Sequence, residues 1–527
     1  MLDIEDSYEV HNRRIESNDM SIKVRKRHRQ LKESTFTGDS FVPGTKSIYV
    51  RTWGCSHNSS DSEYMAGLLK DAGYTITNSK EDASLWVLNS CTVKTPSEAQ
   101  LENNIKEAKQ LNKLIVVAGC VSQADPNAKF LKDISVVGVR QIDRIVEVVN
   151  ETFVGNCVRF LNLNRPHQNL HLPKMRRNKY VEVLPISSGC LNHCTYCKTK
   201  MARGKFLSYS LEDLLEQAQS AFADGCRELW LTSEDLGAWG RDIGMVLPDL
   251  LQELVKVIPD GCMMRLGMTN PPYILDFLEE IAKILNHPRV YSFLHIPVQS
   301  GSDAVLNDMK REYSVSDFCR VVDYMLENVP EVYIATDFIC AFPTETVEDF
   351  EESMDLLRKY KFPSVFINQF YPRPGTPAAK LKKIDTVEAR RRTAVMSAYF
   401  RSYSRYDESR IGSVEDVLVC ERASDGINLV GHNKSYEQIL VPFKDDSLLG
   451  NRIKVRIMKV TKFSMESLPL CNNSVPFGVK FGSLFKTSLL LSADSFIVVG
   501  VLMILTLIAV WLAVHRIPDT SKTLVAA

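Results

Sequence analysis

The 527-residue sequence has no excess of charge of either sign, because 64 lysines and arginines balance 64 aspartates and glutamates. Net charge therefore neither predicts nor excludes a nucleic-acid partner, and a basic surface has to be sought locally. No secretory signal is evident at the N-terminus, so thirteen cysteines in so long a chain do not indicate a disulfide framework. They fit a reducing compartment, in which thiols serve as ligands or as small core residues.

A fourth cysteine is missing from the run Ser188–Lys198, which contains Cys190, Cys194 and Cys197. Structural zinc takes four protein ligands, commonly as two C-x2-C pairs. A [4Fe–4S] cluster held by three thiolates instead keeps one iron open to a small molecule. The C-x3-C-x2-C spacing favours the cluster. Three cysteines in a buried turn, or a zinc site completed by a distant ligand, are the alternatives.

Short apolar runs alternate with helical periodicity between residues 46 and 156, which predicts an open parallel α/β sheet. The predicted strands are Ser47–Arg51, Ser84–Asn89, Leu114–Ala118 and Ser135–Gly138, and the predicted helices are Ser60–Asp71, Thr95–Gln110 and Gln141–Thr152. Cys55, Cys91 and Cys120 each closely follow a strand. Because the carboxyl ends of parallel strands share one edge, these thiols are expected to converge as a second set of three ligands. Gly54 and Gly119 suit tight turns beside a bulky cofactor. Chance placement of three core cysteines is the alternative.

Six strand–helix repeats follow a polar linker (residues 162–179), and they predict a partial (β/α)6 barrel over residues 176–405. The predicted strands are Val181–Ile186, Glu228–Thr232, Met263–Gly267, Ser292–Pro297, Tyr333–Cys340 and Val365–Phe370, and every strand but the last is followed by a predicted helix: Leu211–Ala223, Leu247–Ile258, Tyr273–Leu285, Ser314–Asn328 and Thr346–Tyr360. The run containing Cys190 follows the first strand. Loops after strands form the working face of such barrels, so this run is expected at the mouth.

Helical signals stop after about residue 412, and four or five short strands predict a small antiparallel barrel over residues 406–464. The predicted strands are Val414–Glu421, Ile427–Gly431, Gln438–Phe443 and Arg452–Val460. The last of them is basic, which allows RNA contact or simply a solvated face. Residues 1–45, including the basic run Lys23–Arg29, are expected to form a disordered tail, and residues 465–495 a linker.

The longest hydrophobic run lies near the C-terminus, where Phe496–Val514 contains no charge and Thr506 is its only hydroxyl. A helix of this length spans most of a hydrocarbon core of ~30 Å. It also lacks the polar face of a helix packed on a soluble core. The expectation is a transmembrane tail anchor in the endoplasmic reticulum membrane, with the upstream domains in the cytosol.

Several motifs together resemble the radical S-adenosylmethionine (SAM) methylthiotransferases, over about residues 46–463 and the C-terminal anchor. The matching segments are Thr52–Asn58 with Asp61–Glu63, Asn89–Val93, Ala118–Val121, Gly189–Gly204, His295–Gly301 and Asn368–Pro377. The Lys198-Thr-Lys200 continuation favours the branch that acts on N6-threonylcarbamoyladenosine. The small barrel is similar to the TRAM domain that holds tRNA in this family.

The resemblance implies methylthiolation of N6-threonylcarbamoyladenosine next to the anticodon of tRNA, with SAM and two [4Fe–4S] clusters as cofactors. Cys190, Cys194 and Cys197 would hold the cluster that cleaves SAM. Cys55, Cys91 and Cys120 would hold the auxiliary cluster that carries sulfur. The expected partners are tRNA, a membrane and an electron donor whose identity the sequence does not indicate, and the protein is expected to be a monomer.

Further site residues follow from their positions at strand ends and in basic loops. Candidate SAM contacts are Glu234, Asp235, Arg265, Gln299, Ser300 and Asp337, and candidate tRNA contacts are Lys198, Lys200, Arg203, Lys205, Lys454, Arg456 and Lys459. Ordinary strand-end groups and solvated charges are the alternatives. Two other functions stay open: methylthiolation of another tRNA adenosine or of a protein side chain, and a non-catalytic, membrane-anchored scaffold that binds zinc and RNA.

One segment departs from the family pattern. Ala341 and Thr344 stand where the family reads glycine in G-F-P-G-E-T. A small alanine is expected to be tolerated. A β-branched Thr344 would be strained if its position needs a positive φ, so the geometry of this loop is expected to differ.

Overall fold

The N-terminal α/β part opens the computed structural model, which describes residues 25–26, 46–92, 97–166, 168–443 and 445–470. Its strands are β1 (Arg25–Lys26), β2 (Ser47–Thr52), β3 (Thr75–Thr77), β4 (Leu85–Ser90), β5 (Leu114–Gly119), β6 (Ser135–Val137), β7 (Asn156–Cys157) and β8 (Arg159–Phe160), and its helices are α1 (Ser56–Asp71), α2 (Ser97–Gln110), α3 (Cys120–Ala124) and α4 (Ile145–Val154). Six strands form a parallel sheet in the order β3-β2-β4-β5-β6-β8.

Apolar residues cover both faces of this sheet, which is why its central strands are almost continuously hydrophobic. Val87 and Val116 pack with Leu69 of α1 on one face, whereas Trp86 and Leu101 of α2 belong to a cluster on the other. The open parallel sheet is confirmed, and its four predicted strands lie within a residue of their expected bounds. β3 and β8 were not predicted, because edge strands of two or three residues carry too little periodicity to recognise.

The expected N-terminal tail lies outside the described residues apart from β1, which pairs antiparallel with β7. A strand of only two basic residues gives no signal in the sequence, because it forms by pairing with β7, more than a hundred residues later in the chain.

The central part is the partial barrel. Its strands are β9 (Val181–Pro185), β10 (Ser187–Ser188), β11 (Leu207–Ser208), β12 (Glu228–Thr232), β13 (Met263–Arg265), β14 (Phe293–His295), β15 (Tyr333–Cys340) and β16 (Ser364–Gln369), and its helices are α5 (Thr199–Arg203), α6 (Leu211–Ala223), α7 (Leu247–Val257), α8 (Leu278–Asn286), α9 (Asp303–Asp308), α10 (Val315–Asn328), α11 (Val347–Tyr360) and α12 (Thr386–Ser402). Parallel sheets β9-β12-β13 and β14-β15-β16 are joined by two parallel bridges, Met264–Val290 and Met268–His295. The six predicted barrel strands are confirmed.

Helix α12 is the correction in this part, since no helix was predicted after the last strand. Its buried positions are Ala389, Arg392, Met396 and Phe400, spaced as one helical face. A charged residue at one of the four positions interrupts the apolar stripe that would have indicated the helix. Arg392 is tolerated there because its Nη1 lies 2.6 Å from the buried carboxylate of Glu345.

The last part is a closed five-stranded barrel, β17 (Val414–Arg422), β18 (Asn428–His432), β19 (Gln438–Pro442), β20 (Asn451–Val460) and β21 (Met465–Pro469), in the order β17-β18-β19-β21-β20. The predicted small barrel is confirmed, but it is not wholly antiparallel, because β19 and β21 pair in parallel. β21 lies in the segment expected to be a linker, and its sequence hides it because Glu466, Ser467 and Pro469 are poor strand formers. Met465 nevertheless points into the barrel core.

The hydrophobic run Phe496–Val514 lies outside the described residues, as does the rest of the chain after Leu470. Among the helices that the structure does describe, none combines the length and the hydropathy needed to cross a membrane.

Candidate active site

The auxiliary cysteines lie at one edge of the N-terminal sheet, as the sequence predicted. Cys91 directly follows β4 and Cys120 directly follows β5, while Cys55 caps the N-terminus of α1 after β2. These three strands are parallel neighbours, so their carboxyl ends and the three cysteines share one edge. Cys91 and Cys120 are buried, whereas Cys55 is exposed. Burial raises the pKa of the Cys120 thiol.

The glycines before two of these cysteines allow the close approach. Gly54 has φ +114°, and a Cβ on it would lie 2.5 Å from the Cβ of Cys91. Gly119 has φ +88°, and a Cβ there would lie 2.1 Å from Oδ1 of Asn89. Both positions combine a left-handed backbone with no room for a side chain, so only glycine fits. The two tight turns expected from the sequence are confirmed.

Asparagines of the N-terminal motifs hold this edge together. Asn58 donates from Nδ2 to the carbonyl oxygens of Trp53 and Ser90, both at 3.0 Å. Its Oδ1 lies 3.6 Å from Sγ of Cys120. Asn89 donates to the carbonyl oxygen of Asn58 at 2.8 Å. The loops carrying the three thiols are therefore held to one another by hydrogen bonds from fully buried side-chain amides.

The second triad occupies the loop after β9 and β10, at the mouth of the partial barrel. Cys190, Cys194 and Cys197 are each half-buried. Thr199 donates its amide proton to Sγ of Cys197 at 3.4 Å, and Arg311 donates from Nη1 to Sγ of Cys194 at 3.0 Å. Burial raises the pKa values of the Cys190 and Cys194 thiols, and for Cys194 the guanidinium of Arg311 opposes that effect.

Distant segments clamp the same loop through its backbone. Thr195 donates its amide proton to the carbonyl oxygen of Met309 at 3.0 Å, and the amide of Ala378 donates to the carbonyl oxygen of Thr195 at 2.9 Å. Arg373 donates to the carbonyl oxygen of Tyr196 at 3.0 Å. Arg373 belongs to the Asn368–Pro377 motif, so that motif contributes to the site by holding the cysteine loop.

The donor sets fit iron–sulfur clusters in their chemistry. Each triad offers three thiols, and the Arg311 guanidinium and the Asn58 amide lie against the sulfur atoms of Cys194 and Cys120. In the part of the chain that the structure describes, no group of three or more His, Cys, Asp or Glu side chains closes around a single metal ion.

Comparison with known proteins agrees with this layout. Residues 47–139 match a model described as uncharacterized protein family UPF0004, and residues 184–357 match the radical SAM superfamily. A threonylcarbamoyladenosine tRNA methylthiotransferase of Xenopus laevis is 54% identical over 467 residues, covering 87% of this chain and 84% of that protein. One from Caenorhabditis elegans is 71% identical over 354 residues, covering 67% and 83%. The chain belongs to the threonylcarbamoyladenosine tRNA methylthiotransferase family.

The human member of this methylthiotransferase family is 54% identical over 467 residues, covering 87% of this chain and 80% of that protein. Among solved structures, the radical SAM methyltransferase TsrM of Kitasatospora setae is 14% identical and covers 64% of this chain and 75% of that chain. Its TM-score of 0.47 is too low for a functional argument.

In this member of the methylthiotransferase family, the two acidic residues after β12 have different surroundings. Asp235 accepts a hydrogen bond from Nδ2 of Asn270 at 2.6 Å and another from Asn192 at 3.3 Å. Burial raises the pKa of Asp235 to about 6, although these hydrogen bonds oppose the shift. Glu234 instead accepts the amide proton of Gly189 at 2.9 Å and lies 3.0 Å from His57.

The other candidate SAM contacts are spread over the barrel. The guanidinium of Arg265 lies 4.7–5.2 Å from the ring centres of Trp230, Phe293 and Tyr436, and Tyr436 belongs to the small barrel. Asp337 pairs with His295 of the His295–Gly301 motif. The remaining two, Gln299 and Ser300, belong to a segment paired with β15: Gln299, with φ 71°, donates its amide proton to the carbonyl oxygen of Asp337, and Ser300 is buried.

Two candidate tRNA contacts require correction. Lys198 and Arg203 are each only 2% exposed, so neither presents its charge to a phosphate. The sequence could not distinguish them from surface charges. For Arg203 the reason is that its partners, Asn58 and Asp61, lie far away in the sequence. Lys200 is half-exposed, and its Nζ lies 2.6 Å from Nε2 of His193, while Lys205 is exposed.

The basic strand of the small barrel presents its charges outward. Lys454 and Arg456 are exposed and alternate with buried Val455 and Ile457 along β20. Lys459 is also exposed, but its Nζ lies 2.8 Å from the Glu466 carboxylate. Among the described residues, Lys454 and Arg456 form no ion pair with a carboxylate, and Arg456 donates from Nη1 to the carbonyl oxygen of Gly412 at 3.1 Å. Their charges fit a weak electrostatic surface.

The sequence did not identify Arg311 and Asn270, of which Arg311 contacts the barrel triad directly and Asn270 contacts Arg311. The Arg311 guanidinium contacts both Sγ of Cys194 and the amide oxygen of Asn270. The Asn-Pro-Pro turn after β13 was a usable signal for Asn270, since polar residues after barrel strands face the site. Arg311 had no such signal, because it follows the short helix α9.

Proposed function

We propose that this protein transfers a methylthio group to N6-threonylcarbamoyladenosine next to the anticodon of tRNA. The observation that carries the proposal is the pairing of two three-cysteine loops, one on the sheet edge and one at the barrel mouth, in a chain 54–71% identical to enzymes named for this reaction. The loops are linked through Glu234, which contacts the residue before Cys190 and a residue two positions after Cys55.

In this proposal Cys190, Cys194 and Cys197 hold one [4Fe–4S] cluster, and Cys55, Cys91 and Cys120 hold the other. Bound SAM and the two clusters supply the radical chemistry and the sulfur, which side chains cannot provide. The chain's own residues bind and orient these groups. Arg311 places its positive charge beside Sγ of Cys194, and the side chain of Asn58 lies against Cys120.

Asp235 is the best-placed acidic residue for the positively charged amino group of SAM. It is buried behind the barrel loop and is held by Asn270 and Asn192, the latter lying between Cys190 and Cys194. A cation at this point would repay the desolvation of the carboxylate. The tRNA would approach over the exposed residues Lys205 and Lys454 and the half-exposed Lys200.

The experiment that tests this function is mass spectrometry of tRNA nucleosides from cells that lack the protein, with and without a restored copy. Loss of the methylthio form of threonylcarbamoyladenosine, and its return on restoration, is expected. A copy carrying Cys120→Ser should fail to restore it. Unchanged methylthio-threonylcarbamoyladenosine in the deficient cells would contradict the substrate, and zinc without iron in anaerobically purified protein would favour a non-catalytic scaffold.

Membrane attachment is proposed from the sequence alone. The uncharged run Phe496–Val514 has the length of a membrane span, and the upstream domains would lie in the cytosol beside the endoplasmic reticulum. Carbonate extraction of membranes tests this. The full chain is expected in the membrane pellet and a chain ending at Leu470 in the soluble fraction, whereas equal partitioning of the two would contradict an anchor.

A further inference from the structure

A buried carboxylate joins the two cysteine loops directly. Glu234 follows β12 and is 12% exposed. Its Oε2 accepts the amide proton of Gly189, the residue before Cys190, at 2.9 Å. Its Oε1 lies 3.0 Å from Nδ1 of His57, which is 1% exposed and stands two residues after Cys55. One side chain therefore spans the distance between a loop of the barrel and a loop of the N-terminal sheet.

A second connection runs in parallel through Arg203, at the end of the short helix that follows Cys197. Arg203 donates from Nη2 to Oδ1 of Asn58 at 2.6 Å and pairs with Asp61 at 2.7 Å. Its Nε lies 3.3 Å from Oε1 of Glu234. Both Arg203 and Asp61 are almost completely buried. We call His57, Asn58, Asp61, Arg203 and Glu234 the interloop network.

The charged groups of the interloop network fix the relative orientation of the two loops as well as the contact between them. Two carboxylates, Asp61 and Glu234, flank one guanidinium, so loss of either carboxylate removes one of the two counter-charges of Arg203, and loss of Arg203 leaves Asp61 buried without its partner. Burial acts to raise the pKa of Glu234, but His57 and Arg203 outweigh it and hold that pKa at about 2. The carboxylate is consequently ionised at neutral pH. It accepts the amide proton of Gly189 in one loop and lies 3.0 Å from Nδ1 of His57 in the other.

We propose that Glu234 and Arg203 are positioning residues that fix the separation of the two cysteine loops, so that the radical formed at one loop meets a substrate that the other loop can serve. This inference rests on the proposed function, in which each loop holds a cluster. Misplacement of reacting groups by about 1 Å costs on the order of 100-fold in rate. A loosened network should therefore allow SAM cleavage while it suppresses transfer.

The test is Glu234→Gln in the full, cluster-loaded enzyme with dithionite as reductant. Glutamine keeps the size of the side chain but removes the charge that Arg203 faces. We expect formation of the methylthio product to fall about 100-fold while formation of 5′-deoxyadenosine falls less than about threefold. The ratio of 5′-deoxyadenosine to methylthio product should therefore rise by more than about tenfold. Pulsed electron paramagnetic resonance of the two reduced clusters should show a broader distribution of inter-cluster distances.

Glu182→Gln is the matched control. Glu182 is fully buried and pairs with Lys174 at 2.7 Å and with Arg176 at 2.5 Å, but neither partner belongs to a cysteine loop. The control should keep the parental product ratio. Arg203→Lys is the second test variant. It retains the charge but loses the planar guanidinium, whose Nη2 contacts Asn58 and Asp61 while its Nε faces Glu234.

An equal fall of both products in Glu234→Gln, with an unchanged distance distribution, would overturn the proposal. So would a parental ratio in Arg203→Lys, or loss of iron from both variants, which would assign the network to folding alone. If the parent enzyme itself makes no methylthio nucleoside, the proposed function fails instead, and that result is read before any variant is compared.

Discussion

Replacing Asp61 by asparagine should loosen the contact between the N-terminal sheet and the barrel. Asp61 lies on α1 and Arg203 at the end of α5, 2.7 Å apart, and their side chains are 1% and 3% exposed. At an effective dielectric constant of about 20, unit charges at this separation attract by about 6 kcal/mol. Part of that attraction offsets desolvation, and breaking one side of a buried pair typically costs about 3–5 kcal/mol. Glu234 still faces Arg203, so we expect about 3 kcal/mol.

Hydrogen–deuterium exchange of the full chain measures this cost where it arises. Each 1.4 kcal/mol of lost opening free energy accelerates exchange tenfold, so amides of α1 and α5 should exchange on the order of 100-fold faster in Asp61→Asn. Amides of β17–β21 should keep their parental rates, because the small barrel has its own core.

Asp416→Asn is the control, since Asp416 pairs with Arg452 at 3.0 Å but is half-exposed. A surface pair is worth at most about 1 kcal/mol, so exchange should change less than tenfold. Unchanged exchange of α1 and α5 in Asp61→Asn would refute the reasoning. An equal acceleration in the small barrel would also refute it, because the effect would then be global unfolding and not local opening.

Three further changes have defined expectations. Gly67→Ala would place a methyl group 2.2 Å from the backbone oxygen of Pro173, so overpacking of about 1–3 kcal/mol should outweigh a helix-propensity gain of about 1 kcal/mol and raise hydrogen exchange in α1. Ala341→Gly should raise the free energy of unfolding in urea by about 1 kcal/mol, because Ala341 has φ 61°, whereas Thr344→Gly should not. Burial, and secondarily Arg452, lowers the pKa of Lys434 from 10.5 to about 8. Between these values the unfolded chain keeps the Lys434 proton that the folded chain has released, so the contribution of Lys434 to the free energy of unfolding in urea rises with pH. The stability of the parent relative to Lys434→Met should therefore rise across that window.

The positions of the two cysteine sets could be predicted because each depends on local sequence. Strand periodicity places Cys91 and Cys120 at strand ends, and glycine before Cys55 and Cys120 indicates the turns that the structure confirms. Parallel pairing then brings the strand ends together without further information. The barrel loop of Cys190 follows from the same rule applied to β9.

The surroundings of the cysteines could not be predicted, since they depend on contacts between distant segments. From the sequence alone Arg203 looks like a surface residue, because its partner Asn58 lies 145 residues earlier in the chain. The two residues that replace glycines of the family pattern also differ in a way that the sequence does not show. Thr344 has an ordinary backbone, whereas Ala341 carries the positive φ and donates its amide proton to the Glu345 carboxylate at 3.0 Å.

The interloop network uses charges where an apolar contact would be more stable. Buried ion pairs are often no better for stability than hydrophobic side chains of the same volume, because desolvation cancels much of their attraction. Charged contacts differ in being directional, whereas apolar burial is not. The Glu234 carboxylate accepts the amide proton of Gly189 on one side and faces Nδ1 of His57 at 3.0 Å on the other. A methylthiotransferase with two separate donor loops requires a defined distance between them more than it requires extra stability. The cost of burying Glu234 and Arg203 is therefore understandable if the distance they set is the property on which the reaction depends.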